Sequence, residues 1–255
     1  MDLPRTPSFR LDGRHALVTG GTRGIGLAAA AALAEAGASV TVVSRRADEV
    51  AATVEALAAA GHRAQGQALD VTDNSAVRSL VDTAASPYDV LVNSAGAARH
   101  AHILDVTEAD YRAVIDVNLG ATLFVSQAVA ARLVSAGAPG SIINISSQMG
   151  HVGGPRRAVY AASKFAVEGL TKAMAIELGV HNIRVNSVAP TFIETALSAK
   201  NLGDPEFRAW VMQKIKLGRL GTVEDIMGPI VFLASDASAL MTGSSVVVDG
   251  GWTAE

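Results

Sequence analysis

His15-Ala16-Leu17-Val18-Thr19-Gly20-Gly21-Thr22-Arg23-Gly24-Ile25-Gly26 is an apolar run that feeds a glycine-rich turn. The turn opens an alanine-rich stretch over 24–36, and Gly37 follows as its expected C-cap. A strand, a glycine turn and a helix in that order make an anion site. Glycine lets the backbone approach a pyrophosphate, and the helix N-terminus offers free N–H groups and positive dipole. Gly20, Thr22, Arg23, Gly24, Ile25 and Gly26 are therefore candidate phosphate-binding residues. The spacing is G-x-x-x-G-x-G, distinct from the G-x-G-x-x-G fingerprint. An ordinary tight turn is the competing reading.

The pattern repeats outward from this unit. Strand-like runs at 39–43, 64–68, 89–93, 141–146, 183–188 and 245–249 alternate with helical stretches near 47–60, 74–84, 107–134, 158–178 and 222–234. Thr222 is the expected cap of the last helix, with Glu224 and Asp225 suiting its positive end. Strands that are apolar throughout need cover on both faces, which a parallel sheet flanked by helices supplies. The expected fold is α/β, a doubly wound Rossmann fold with a parallel sheet of about seven strands. No linker divides the chain, so 1–255 reads as one domain, with 1–10 as a loose arm carrying Pro4 and Pro7.

Composition narrows the function. Hydrophobic residues are 49% and charged residues 18% of 255, ample for a core and incompatible with a disordered chain. The net charge of −3 offers no footprint for nucleic acid and no attractor for an anionic membrane. The absence of cysteine excludes disulfides, cysteine-held metals and thiol catalysis and fits a reducing compartment. No secretory h-region precedes the first strand, and no run approaches the roughly 20 apolar residues of a membrane span. A cytoplasmic location is expected. His100 and His102 form an HxH pair without a third ligand, so no metal is expected.

The second strand bears on the nucleotide. A Rossmann unit that holds a ribose 2′-hydroxyl places a carboxylate there. Here the strand runs out at Ser44-Arg45-Arg46, whose donors and charge suit a 2′-phosphate. With Arg23 in the turn, NADP(H) is favoured, and NAD(H) stays possible.

Tyr160 and Lys164 share a helix face at i, i+4. A tyrosine titrates near 10; an adjacent ammonium would lower that value. Tyr160 would then exchange a proton with a carbonyl or alcohol oxygen as hydride moves, and Ser147 would hydrogen-bond the same oxygen.

Together these pieces resemble the short-chain dehydrogenase/reductase (SDR) family, in its short single-domain branch, from about residue 11 to 252. The matching segments are Thr19–Gly26, Asp70-Val71, Asn93-Ser94-Ala95-Gly96, Asn118, Ser147 with Tyr160 and Lys164, Pro190 to Thr195, and Val248 to Gly251. The resemblance implies that Tyr160 is the general acid/base and that Lys164 tunes it and holds the nicotinamide ribose. It implies that Ser147 orients the substrate and that Asn118 helps hold a relay water. Asp70 and Val71 would contact adenine, and Asn93, Ala95 and Gly96 would line the cofactor. Pro190, Ile193 and Thr195 would flank the nicotinamide, and the family commonly forms homotetramers. Two positions depart from the family pattern: Ser94 stands where asparagine is usual, and Thr191 where glycine is usual.

The substrate loop corresponds to 192–217, with Phe192, Leu197, Phe207, Trp210 and Met212. It reads equally as an apolar lid or as a helical hairpin packed on the body. Gln148 and Phe192 are expected at the substrate, and Arg99, His151, Arg157 and Glu194 lie in nearby loops. The expected activity is reduction of a carbonyl, or oxidation of a secondary alcohol, on a 3-oxoacyl, sugar, polyol or small ketone substrate. An NAD(H)-dependent alcohol or polyol dehydrogenase is the nearest alternative. A non-catalytic dinucleotide-binding sensor is a second, and a sugar-nucleotide epimerase is a weaker third.

Overall fold

The computed structural model describes residues 1–254, the side chains of residues 197, 200 and 201 excepted. Seven strands form one parallel sheet: β1 (His15–Thr19), β2 (Ser39–Ser44), β3 (Ala64–Ala68), β4 (Val90–Asn93), β5 (Gly140–Ile145), β6 (Ile183–Pro190) and β7 (Ser245–Val248). Their spatial order is β3-β2-β1-β4-β5-β6-β7. The order reverses between β1 and β4, which opens a crevice at the carboxyl ends of those strands, the place where such sheets bind ligands.

Helices cover both faces. On one face lie α1 (Gly24–Glu35), α2 (Ala47–Ala59) and α9 (Glu224–Ala234), packed over Ala16, Val18, Val40, Val42, Val90 and Val92. On the other lie α3 (Asn74–Thr83), α4 (Glu108–Ile115), α5 (Thr122–Ala136) and α6 (Ala158–Leu178), over Leu17, Leu91, Ile142 and Val185. Alternate residues of each central strand thus enter opposite cores, as the apolar runs required. The edge strand β3, Ala-Gln-Gly-Gln-Ala, is the exception and is largely exposed.

The expected C-cap at Gly37 takes a specific form. Gly37 has φ +110°; its N–H donates to Ala34 O and that of Ala38 to Leu33 O. This is the Schellman pattern, and it needs a left-handed residue there.

Three expectations change. The helix expected over 107–134 is broken by a π-helical segment at Asp116–Ala121 between α4 and α5. An extra residue in a turn leaves no mark on hydrophobic period, so the sequence showed one helix. The whole rod, Glu108–Ala136, is long and apolar enough to cross a membrane, unlike any run seen in the sequence. Here Val125, Val129, Ala130 and Leu133 are buried against the sheet. Thr222 does not cap α9, which starts at Glu224 after Val223 with no side-chain cap. Instead the Asp225 carboxylate accepts from the Thr222 N–H at 2.8 Å and from both terminal nitrogens of Arg219. The arm is exposed over residues 1–10, yet its end is tied: Phe9 meets Phe232 at 6.2 Å between ring centres, and Arg10 donates to Glu35 O.

Inside the second core runs a buried polar chain. Asn93 Nδ2 donates to Ser126 Oγ at 2.8 Å and Asn144 Oδ1 at 2.9 Å, and Asn144 Nδ2 donates to Thr171 Oγ1 at 2.9 Å. It links β4, β5, α5 and α6 where apolar packing alone would leave their relative height free. Asn93→Ala removes both donors from buried acceptors and is expected to cost about 1–3 kcal/mol, read as a lower urea midpoint. An unchanged midpoint would mean the chain holds nothing together.

Candidate active site

The crevice is built first by the glycine turn. A Cβ on Gly26 would lie 2.1 Å from Gly20 O, and one on Gly20 2.9 Å from Ala95 Cα. The turn is therefore packed against the loop after β4 so closely that no side chain fits. Thr19 Oγ1 fixes that loop by accepting from Ser94 N at 3.1 Å and Ala95 N at 3.2 Å. The residue before α1, Arg23, makes no side-chain cap, and no acidic residue occupies the first turn. The helix thus presents its positive end to the crevice with no acidic side chain in its own first turn.

Beside the turn, Arg23 and Arg45 are exposed. Arg46 pairs with Glu49, whose other oxygen accepts from Thr22 Oγ1 at 3.1 Å. Of the three expected arginines, one is thus partly neutralised by an acid that sequence spacing had not flagged. Ser44 is half-buried at the end of β2. The Asp70 carboxylate is held low, chiefly by hydrogen bonds from Thr72, with Arg45 adding to the effect. Val71 is buried in the core, so it offers the crevice backbone more than side chain. The Asn93 side chain is likewise spent inside the fold, so what it offers the crevice is the backbone at the end of β4.

Asn118 sits in the π segment and is 1% exposed. Its Oδ1 accepts from Ala97 N at 2.7 Å, and its Nδ2 donates to Ala97 O and Ser163 Oγ, each at 3.0 Å. Ser163 Oγ in turn donates to Tyr160 O at 2.7 Å. Both amide protons are committed, so the side chain ties the β4 loop to α6.

Tyr160, Lys164 and Ser147 converge as expected. Ser147 ends the segment after β5; its hydroxyl donates to Gln148 Oε1 at 2.7 Å and faces the Tyr160 hydroxyl. Gln148 is buried and thus orients Ser147. Lys164 is buried, donates from Nζ to Ile145 O at 2.8 Å, and lies 5.8 Å from the centre of the Tyr160 ring. Burial pulls this ammonium down to about 8, opposed by Glu168 one turn further along α6. Burial pushes the Tyr160 phenol up, opposed by Ser147 and by the charge of Arg157. At rest the ammonium of Lys164 is bonded to Ile145 O rather than to the phenol.

The loop after β6 closes the far side. Thr191 N donates to Val248 O, so threonine extends the β6–β7 pairing by one residue, in keeping with its extended preference. Ile193 buries its side chain in the core, while the backbone on either side of it bridges to Gly221 and the Ile193 carbonyl accepts from Ser198 Oγ. Thr195 Cγ2 comes within 3.4 Å of the Cβ position of Gly24, which brings this loop over the glycine turn. The stretch 192–217 holds α7 (Ala196–Leu202) and α8 (Pro205–Lys214). Phe192, Phe207 and Trp210 join Trp252 in one aromatic stack with ring centres 5.3–5.7 Å apart. Met212 packs against that cluster, and the side chain of Leu197 lies outside the described residues. The loop is a helical hairpin, and its aromatic residues belong to the cluster against which Tyr160 packs.

Arg99 pairs with Asp110, Glu194 is exposed, and His151 Nε2 lies 3.6 Å from a Glu168 oxygen. His100 accepts from Arg157; among the described residues no cluster of metal-ligating side chains forms. Glu168, buried and accepting from Ser187 and Ser245, was missed in the sequence. Its i+4 spacing from Lys164 was the available signal.

A family model described as enoyl-(acyl carrier protein) reductase matches residues 20–253. The chain belongs to the short-chain dehydrogenases/reductases. This SDR chain is 43% identical over 246 residues to a D-erythrulose reductase of Gallus gallus, covering 96% of this chain and 98% of that one. It is 38% identical over 248 residues to a gluconate 5-dehydrogenase of Gluconobacter oxydans, covering 96% of each. The crystal structure of a gluconate 5-dehydrogenase from Burkholderia cenocepacia in complex with NADP and tartrate superposes with a TM-score of 0.93 at 37% identity, covering 97% of this chain and 98% of that one. The SDR assignment makes the chain an oxidoreductase, and the sensor and epimerase readings fall away.

The buried lysine makes a pH prediction. The folded state holds the Lys164 proton more weakly than the unfolded chain, so between about 8 and 10.5 the unfolded state binds more protons. Stability contributed through this group therefore rises with pH across that window. Relative to Lys164→Met, the wild type is expected to gain on the order of 1–3 kcal/mol between about pH 7.5 and about pH 10 in urea titrations. Parallel curves for the two proteins would show that the ammonium is solvated.

Proposed function

We propose that this SDR enzyme uses NADP(H) to interconvert a ketone and a secondary alcohol on a sugar or polyol substrate. The observation that carries the reading is the convergence of Tyr160, Ser147 and Lys164 at the carboxyl edge of the sheet, beside a glycine turn with no room for a Cβ. The named relatives supply the substrate class, since they act on erythrulose, a ketose, and on gluconate, a polyhydroxy acid.

The residues fit the dinucleotide. The Gly20–Gly26 turn and the uncapped end of α1 suit a pyrophosphate, with Ala95 and Gly96 alongside. Arg23 and Arg45 suit a 2′-phosphate. Asp70 and the Val71 backbone would take the adenine end, and Pro190, Ile193 and Thr195 the nicotinamide end. Bound NADP(H) supplies or accepts the hydride. In reduction, Tyr160 donates its phenolic proton to the carbonyl oxygen while Ser147 hydrogen-bonds that oxygen. Lys164, near 8, can return a proton at neutral pH once it turns from Ile145 O toward the phenolate. Asn118 acts by position, through Ser163 and the Tyr160 carbonyl. The aromatic stack with Phe192 keeps water from the reacting carbon.

One observation favours NAD(H) as a second reading: Glu49 neutralises Arg46 and holds Thr22 at the edge of the proposed phosphate site. We further propose a cytoplasmic homotetramer. Tyr111, Phe124, Phe165 and Ile176 support it, being exposed large apolar residues on α4, α5 and α6.

Fluorescence titration with NADPH and NADH tests the cofactor. NADPH is expected to bind tighter, and Arg45→Asp to weaken it by about ten- to a hundredfold with little change for NADH. Equal or tighter binding of NADH to the wild type would establish the NAD(H) reading. Turnover of the preferred cofactor with ketose and keto-aldonate panels then tests the substrate class; activity confined to acyl thioesters would overturn it.

A further inference from the structure

Arg157 is the residue immediately before α6 and is nine-tenths buried. Its neighbour Arg156 has φ +60°, a left-handed conformation that an L-residue adopts at a cost. That turn directs Arg157 inward, three residues before Tyr160. Among the described residues no carboxylate pairs with its guanidinium. Nη1 donates to His100 Nε2 at 2.6 Å. The remaining compensation is aromatic, with the guanidinium carbon 5.3 Å from the centre of the Phe192 ring and 5.5 Å from that of Phe207. His100 is itself edge-on to Tyr160, with ring centres 6.1 Å apart, and its buried Nδ1 has no hydrogen-bond partner among the described residues. Burial and the two arginines hold His100 down to about 4, so it is neutral and accepts from Arg157.

A guanidinium taken out of water costs several kcal/mol unless an anion meets it. A neutral imidazole and two ring faces offset only part of that cost. Four N–H donors in a planar fork remain, the geometry that matches a carboxylate. The guanidinium is bonded to His100, whose ring is edge-on to Tyr160, and lies over Phe192 and Phe207, which sets the fork beside the catalytic tyrosine.

We propose that Arg157 is a carboxylate receptor, and that the substrate is a polyhydroxy or keto acid held by Arg157 at its acid end and by Tyr160 and Ser147 at its reacting oxygen. This rests on the sugar reading above and sharpens it: a neutral ketose would leave the buried cation unpaired and is selected against. Phe192 and Phe207 flank the cation, so the lid that covers the site also shields the ion pair. His100 steers the fork from the other side.

The test separates substrate choice from turnover. In calorimetry on the NADP⁺-saturated enzyme, gluconate is expected to bind at least tenfold tighter than xylitol. Arg157→Met is expected to abolish that difference, and Arg157→Lys to restore part of it. In steady-state reduction, Arg157→Met is expected to raise KM for a keto-aldonate at least tenfold more than it changes KM for a neutral ketose, and Arg157→Lys to recover part of that difference. Equal affinity of the wild type for both ligands would overturn the proposal. So would equal losses on both ligands in Arg157→Met, which would make the arginine a structural prop for the lid. If no sugar is turned over at all, the substrate reading of the previous section fails on its own, and the gluconate titration still decides the role of Arg157.

Discussion

The ammonium of Lys164, buried and bonded to the last carbonyl of β5, is the interaction on which the site depends. A lysine taken out of water gives up strong hydration, which shows in its pull down to about 8. The fold sets against that loss one hydrogen bond, at 2.8 Å, and the field of Glu168. What the arrangement gains is position. The bond joins the middle of α6 to the carboxyl edge of the sheet, so Tyr160, one turn earlier, faces Ser147 at the end of the same strand. The same carbonyl gives the lysine a resting place away from the phenol.

Two buried polar systems make that position single-valued. Asn93, Asn144 and Thr171 fix α6 against β4 and β5 from inside the core. Asn118 and Ser163 fix it to the β4 loop from the crevice side. Networks of this kind contribute specificity more than net stability, because each member would be costly unpaired. The π segment follows from the same demand. One extra residue in the turn is associated with an Asn118 amide that meets Ala97 and Ser163 together, and π-bulges are frequent at functional sites. Arg157 stands apart from these networks, a charge whose partners among the described residues are all neutral.

Much of this was legible in the sequence because it rests on period and punctuation. The alternation of β-branched runs with helical stretches defined the sheet, and the glycines at 20, 24 and 26 marked the cradle through sterics that a side chain would violate. Tyr160 and Lys164 at i, i+4 were legible as a site only together with Ser147 and the other segments that resemble the SDR family. The parts that escaped depend on contacts between distant segments. Asn93 and Asn118 read as cofactor and water contacts, and their side chains also tie distant segments of the fold together. Glu49 cancels part of the charge of Arg46 across a turn of helix. The aromatic stack needs Trp252, far from the substrate loop in sequence. Thr222 was a good local cap signal, overridden by the Arg219–Asp225 pair that anchors the start of α9 from outside.

The central claim is that Tyr160 passes the substrate's proton while the rest of the site holds it in place. Single-turnover reduction of the best sugar substrate by prebound NADPH, wild type against Tyr160→Phe, tests it most directly. The account predicts NADPH binding within a factor of about two of wild type and a rate lower by about 10²–10⁴-fold, the range for loss of a general acid. A Tyr160→Phe rate close to wild type with NADPH still bound would contradict it and move the proton to another donor.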